Sequence, residues 1–154
     1  MYDQTGQSMV RKEAKAFLED QGHGTLCLAS GNRGYGIPMS YGYDEEKDRL
    51  VMELIYVGQS KKRQFLETAE EVTLTTYEHR DQETWASVVV TGTVHELTGD
   101  DVSERYAALF FDQAEDAAGE LRWMDLEDAQ REWYELHIEE LTGRHGGRIP
   151  PYQD

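Results

Sequence analysis

The run TWASVVVTGTVHEL (84–97) constrains this chain most, because it is the longest β-branched stretch in the sequence. Branching at Cβ stiffens the side chain and suits a pleated sheet better than a helix. Gly92 inside the run predicts a bulge or a bend. Other segments share the strand pattern. GTLCLAS (24–30) reads as a buried strand, and YGIPMSYGYD (35–44) as a second strand interrupted by Pro38, which implies an edge or a bulge. RLVMELIYV (49–57) is a third. EVTLTTYEH (71–79) alternates Val72, Leu74 and Thr76 against polar neighbours, and REWYELHIEEL (131–141) alternates Tyr134, Leu136 and Ile138 as a last strand, although its glutamates also permit a helix. GNRG (31–34), DEEKD (44–48) and HRDQE (79–83) are the turns between them.

Helical spacing is confined to three places. Val10, Ala14, Phe17 and Leu18 form one face over residues 9–20, with Gly22 and Gly24 as the stop. SKKRQFLETA (60–69) predicts a short helix. TGDDVSERYAALFF (98–111) begins another, striped by Val102, Tyr106, Leu109 and Phe110. The acidic segment 112–130 fits no single pattern. Short strands, tight turns and peripheral helices together predict a mainly β fold, a small β-barrel.

A chain of 154 residues makes about one domain. Residues 146–154 are expected to form a flexible tail. The 31 acidic and 15 basic residues leave a net charge of −16, so nucleic acid and anionic membrane surfaces are not expected partners. Lysine is scarce among the bases, a balance that resembles proteins of high-salt cytoplasm, where short screening lengths tolerate dense like charge. Cys27, the single cysteine, sits in an apolar run and is expected to be buried and inert. No signal peptide is visible, and no apolar run reaches the roughly 18 residues of a membrane span, so a cytoplasmic location is expected.

Against that acidity, GQSKKRQFL (58–66) places Lys61, Lys62 and Arg63 side by side. The cluster follows a strand and opens a helix, where free amides and the helix dipole favour an anion. Ser60 would cap the helix and donate to that anion. This outlines a phosphate cradle without the glycines of a P-loop; the plainer reading is a solvated basic turn paired with glutamates. The glycines of GNRGYG have the wrong spacing for a dinucleotide fingerprint. The five histidines show no ligand pattern, so no metal is expected, and His95 and His137 are expected on solvent faces of strands. Trp85, Trp133 and Tyr134 suit either core packing or an aromatic wall for a flat heterocycle.

These segments, taken in order, resemble the split β-barrel flavoproteins, the pyridoxamine 5′-phosphate oxidase-like FMN-binding superfamily of Greek-key type. The closer likeness is to its nitroimidazole-resistance-like and flavin-nucleotide-binding branch. GIPMSYGYD is similar to the family's second strand. GQSKKRQFLETAEEVTL is similar to its G-x-K-x-x-x-L-x-x-x-x-x-V pattern, with Lys62, Leu66 and Val72 in register. WASVVVTGTVHEL and ELTGR resemble its long strand and its closing strand. The resemblance implies a homodimer holding FMN at the subunit interface. It implies that Ser60, Lys61 and Lys62 grip the phosphate, while Pro38, Met39, Ser40 and Tyr41 run beside the flavin ring and offer backbone hydrogen bonds. Trp85 and Ser87 would reach the cofactor, from the partner subunit if not from the same chain. The implied activity is an oxidoreductase taking a hydride from reduced nicotinamide and passing electrons to a small acceptor, with no catalytic side chain nameable. A flavin carrier or sensor without turnover, or a deazaflavin in place of FMN, are the alternatives. Only Arg144 and Arg148 stand near the C-terminus, which does not match the oxidase's basic substrate set, so vitamin B6 oxidation is not expected.

Overall fold

The computed structural model describes residues 6–58, 60–98 and 129–147. Its elements in chain order are β1 (Gln7–Ser8), α1 (Arg11–Gln21), β2 (His23–Ser30), β3 (Arg33–Ser40), β4 (Gly42–Asp44), β5 (Arg49–Val57), α2 (Lys61–Thr68), β6 (Val72–His79), β7 (Trp85–Leu97) and β8 (Ala129–His145). The strands form one antiparallel sheet in the order β3-β2-β6-β7-β8-β5-β4, with β1 paired to the end of β8. The fold is therefore mainly β with two helices, as the alternation predicts.

The two ends of that path, β3 and β4, are separated in the chain by Tyr41 alone. One extended stretch thus pairs with β2 in its first part and with β5 in its second. The break falls at Tyr41, not at the predicted Pro38. Pro38 sits inside β3, which has a single strand neighbour, and such an edge tolerates a residue that cannot donate to a ladder.

The register of β7 on β8 slips between Thr91 and Gly92, the bulge the sequence predicts. A Cβ on Gly92 would lie 1.9 Å from the carbonyl oxygen of His137, so only glycine lets the strands approach here. Leu26, Leu74, Val90 and Leu141 stand in register across four strands and line the core face. α1 buries Ala14, Phe17 and Leu18 against it and ends at Gly22, whose φ of 66° is left-handed. The Gly22 carbonyl accepts the Tyr41 amide at 2.9 Å, and the Tyr41 hydroxyl donates to the Leu18 carbonyl at 2.6 Å. α2 packs on β2 and β3 through buried Phe65.

The structure corrects the expectation for Cys27. It is exposed, because β2 buries only one face, and Leu26 and Leu28 take that face while the residue between them points outward. No helix among the described residues is long and apolar enough to cross a membrane. The predicted helix over 98–111 and the acidic segment 112–130 lie outside the described residues, as does most of the predicted tail.

Candidate functional site

Lys61 and Lys62 open α2, where the chain leaves β5 at Val57 and turns through Gly58, with φ 65°, into the helix. Ser60 is the N-cap, in extended conformation, and its side chain makes no capping bond. The first intrahelical bond runs from the Gln64 amide to the Ser60 carbonyl at 3.1 Å. The amides of Lys61, Lys62 and Arg63 therefore point out of the helix start with no intrahelical acceptor. Lys61 holds its Nζ 4.7 Å from the centre of the Tyr35 ring on β3 and 5.9 Å from that of Phe65. Lys62 is half-buried. Arg33, at the start of β3, places its guanidinium 5.5 Å from the centre of Phe65. Tyr35 and Phe65 are themselves 5.3 Å apart.

Among the described residues these cations, like the exposed Lys12 on α1, have no acid beside them, and Arg33 and Lys61 rest on aromatic rings instead. Arg11, Lys15, Arg49, Arg63, Arg80 and Arg131 all pair with carboxylates. Arg33, Lys61 and Lys62 have no carboxylate partner among the described residues. In a chain of net charge −16 a solvated basic turn would be expected to collect glutamates.

Arg63 does not belong to this group. Its Nε lies 3.2 Å from Glu132 on β8, and its guanidinium sits 5.4 Å from the centre of the Tyr56 ring. Glu132 also accepts the Tyr56 and Tyr134 hydroxyls, both at 2.6 Å. Burial alone would raise the Glu132 pKa, but the two phenols and the guanidinium outweigh it and hold the carboxyl below its ordinary value. Burial, joined by the bond to Glu132, pushes Tyr134 up. This cluster ties α2 to β5 and β8. Glu132→Ala leaves the buried Tyr134 hydroxyl without its acceptor, at a cost of about 1–3 kcal/mol. Thermal melts should show a fall of about 2–4 °C per kcal/mol for a chain near this size. A depressed folded-state pKa means the carboxylate's contribution is present above the unfolded value. It is lost as pH falls from about 4.5 through the lower folded value, so the difference between wild type and variant narrows over that acid range.

The residues expected beside a ring are only partly assembled. Pro38, Met39 and Ser40 form the last three positions of β3, three to five residues from Tyr35, or about 10–17 Å along the strand. Pro38 is exposed, Ser40 is half-buried, and Met39 packs on the core. The Tyr41 side chain is fully buried, with its hydroxyl bound to Leu18 and its amide to Gly22, which ties it to α1 and leaves its amide unavailable to a ring. Ser87 pairs with Tyr77 and Arg144, and Ser40 pairs with His23. The two serines face the same side but stand three strand spacings apart, about 14 Å. Trp85 lies farther still, pressed against Gly6 and Gly146, where a Cβ would meet its ring at 2.6 and 2.3 Å. Within one chain, then, Trp85 and Ser87 do not join the α2 site.

Arg33, Tyr35 and Phe65 escaped the sequence reading. Their signal was the i, i+2 pairing of Arg33 and Tyr35 just after the Gly31–Asn32 turn, which puts both on the face α2 covers. Elsewhere, His95 and His137 stack at 4.0 Å, and His137 meets Glu135 at 2.6 Å, a carboxylate also held by Arg49 at 2.8 Å.

Several solved structures share the fold. A FAD-binding protein from Mesorhizobium loti is 22% identical with a TM-score of 0.69, covering 92% of this chain and 97% of that one. A FAD-binding protein from Mycobacterium smegmatis is 15% identical with a TM-score of 0.64, covering 93% and 100%. A putative 5-nitroimidazole antibiotic resistance protein from Bacteroides thetaiotaomicron is 12% identical with a TM-score of 0.65, covering 89% and 85%. At these identities the likeness concerns the fold. No curated protein matches the chain. The family model described as pyridoxamine 5′-phosphate oxidase matches residues 10–145, nearly the whole chain, and the protein belongs to that family.

Proposed function

We propose that this protein is a flavin-binding oxidoreductase that holds FMN by its phosphate at the start of α2. The observation that carries the reading is the start of α2, where the Ser60 hydroxyl makes no cap bond, the first-turn amides lack intrahelical acceptors and Lys62 has no carboxylate partner among the described residues, in so acidic a chain. The donor set fits a phosphoryl group. The Ser60 hydroxyl is not used in capping, the first-turn amides point outward, and Lys62 adds charge. The ribityl chain and ring would follow the open edge of β3 over roughly 10–17 Å from Tyr35 to Ser40, passing from the face α2 covers toward the opposite face that Pro38 and Ser40 share, with edge backbone groups to offer. A bound flavin supplies hydride and electron transfer. This chain's residues bind the phosphate, orient the ring along Pro38 to Ser40 and shield it. Membership of the family and the FAD-binding neighbours support a flavin nucleotide.

The working unit in this reading is a homodimer. Tyr77 at 71% exposure and Val89 at 37% lie on the outer face of the sheet with Cys27 and Ser87. A second copy seated on that face would bring Ser87, too far from Ser40 within one chain, toward the ring. The balance of charge suits a high-salt cytoplasm, so assays belong in molar salt as well as dilute buffer.

Purified protein should be yellow, and mass spectrometry of the extract should show FMN. A deazaflavin mass would keep the fold and change the cofactor. Anaerobic NADH or NADPH should bleach the bound flavin; a flavin that neither donor reduces makes the protein a carrier or sensor. Protein that stays colourless after addition of FMN contradicts the reading, and light scattering that shows only monomer contradicts the dimer.

A further inference from the structure

We propose that Arg33 and Lys61, seated on the Tyr35–Phe65 pair, form a subsite for a second phosphate, so that this face takes a pyrophosphate-bearing nucleotide. The proposal extends the site above and rests on that reading in placing the first phosphate at Ser60 and Lys62. With Ser60, Lys62 and the first-turn amides assigned to the first phosphate, Arg33 and Lys61 are left for a second.

Both cations are fixed against the same ring. Arg33 comes from the β2–β3 turn and Lys61 from α2, at 5.5 and 5.9 Å from the centre of Phe65, so their charges are no more than about 11 Å apart. Phe65 is 5% exposed and Tyr35 packs on the core, so the floor beneath them is rigid. A ring contact leaves the N–H donors available, where a carboxylate partner would occupy them. Arginine also offers a planar fork that matches two phosphate oxygens at once, which a point charge does not. The acidic net charge excludes a nucleic-acid backbone as the source of these phosphates, since the surface outside the patch repels it.

The test titrates wild type, Arg33→Ala and Lys12→Ala with adenosine, AMP and ADP by calorimetry. Lys12 is an exposed cation on α1 and serves as the control. ADP should bind wild type at least about tenfold more tightly than AMP, as one further charge-assisted contact allows. Arg33→Ala should remove most of that tenfold while changing AMP by less than about threefold, and Lys12→Ala should change neither. FAD and NADH then locate the second phosphate. A loss confined to FAD assigns it to a flavin dinucleotide, and a loss confined to NADH, measured with FMN present, assigns it to the electron donor. Equal affinity for ADP and AMP, or equal loss of both in Arg33→Ala, overturns the subsite. Protein that binds FMN yet does not distinguish ADP from AMP keeps the function proposed above and loses this inference. Protein that binds ADP through Arg33 but binds no flavin does the reverse.

Discussion

Gly92→Ala is expected to destabilise the protein by about 3 kcal/mol or more, the upper end of what overpacking costs. The new methyl group would meet the His137 carbonyl oxygen at 1.9 Å and its carbonyl carbon at 2.9 Å. Neither is the movable end of a side chain. Relief would require β7 and β8 to separate at the bulge that sets their register. Because β8 also pairs with β5 and β1, a shift there would disturb both. Gly34→Ala is the control: nothing lies within 4 Å of its Cβ, and a glycine replaced without strain stabilises by about 0.4–1 kcal/mol through the unfolded state. Urea unfolding of the two variants should move in opposite directions. Equal stability of Gly92→Ala and wild type would show that the close approach of the two strands is wrong.

Lys62→Ala is expected to weaken FMN binding by about 10- to 100-fold, the equivalent of one charge-assisted contact worth about 1.5–3 kcal/mol. Riboflavin, which has no phosphate, should lose little. Lys47→Ala should change FMN affinity by less than about twofold, since Lys47 lies in the exposed turn between β4 and β5. Lys62 has no ion pair among the described residues to rearrange when it is removed, so the loss should come from the ligand and not from the fold. Molar salt should narrow the gap between wild type and Lys62→Ala, because the charges are accessible to screening. Fluorescence quenching of FMN across a salt series provides the measurement. Matching affinities for Lys62→Ala and Lys47→Ala would remove the cluster from the site.

How much was legible in the sequence depended on the range of the interaction. The bulge at Gly92, the short helix at 61–68 and the edge position of Pro38 all followed from local rules, since each concerns a residue's own backbone freedom. Cys27 misled because a short apolar run looks the same whether a strand buries both faces or one. The burial of Tyr41 was not legible, because its partner, the Leu18 carbonyl, lies on α1 across the core. Arg63 reads as the equal of Lys61 and Lys62 until β8 brings Glu132 against it.

Alternation of side chains and the placement of glycine and proline were enough to determine the strands, the two short helices and the concentration of positive charge at the start of α2. Those properties depend on neighbours a few residues apart. Which cations remain without an acid, which aromatic rings they rest on, and that Ser40 and Ser87 stay about 14 Å apart were decided only by the pairing of distant strands. Charge and contact act through space, and space is set by the register of β3, β7 and β8 rather than by distance along the chain.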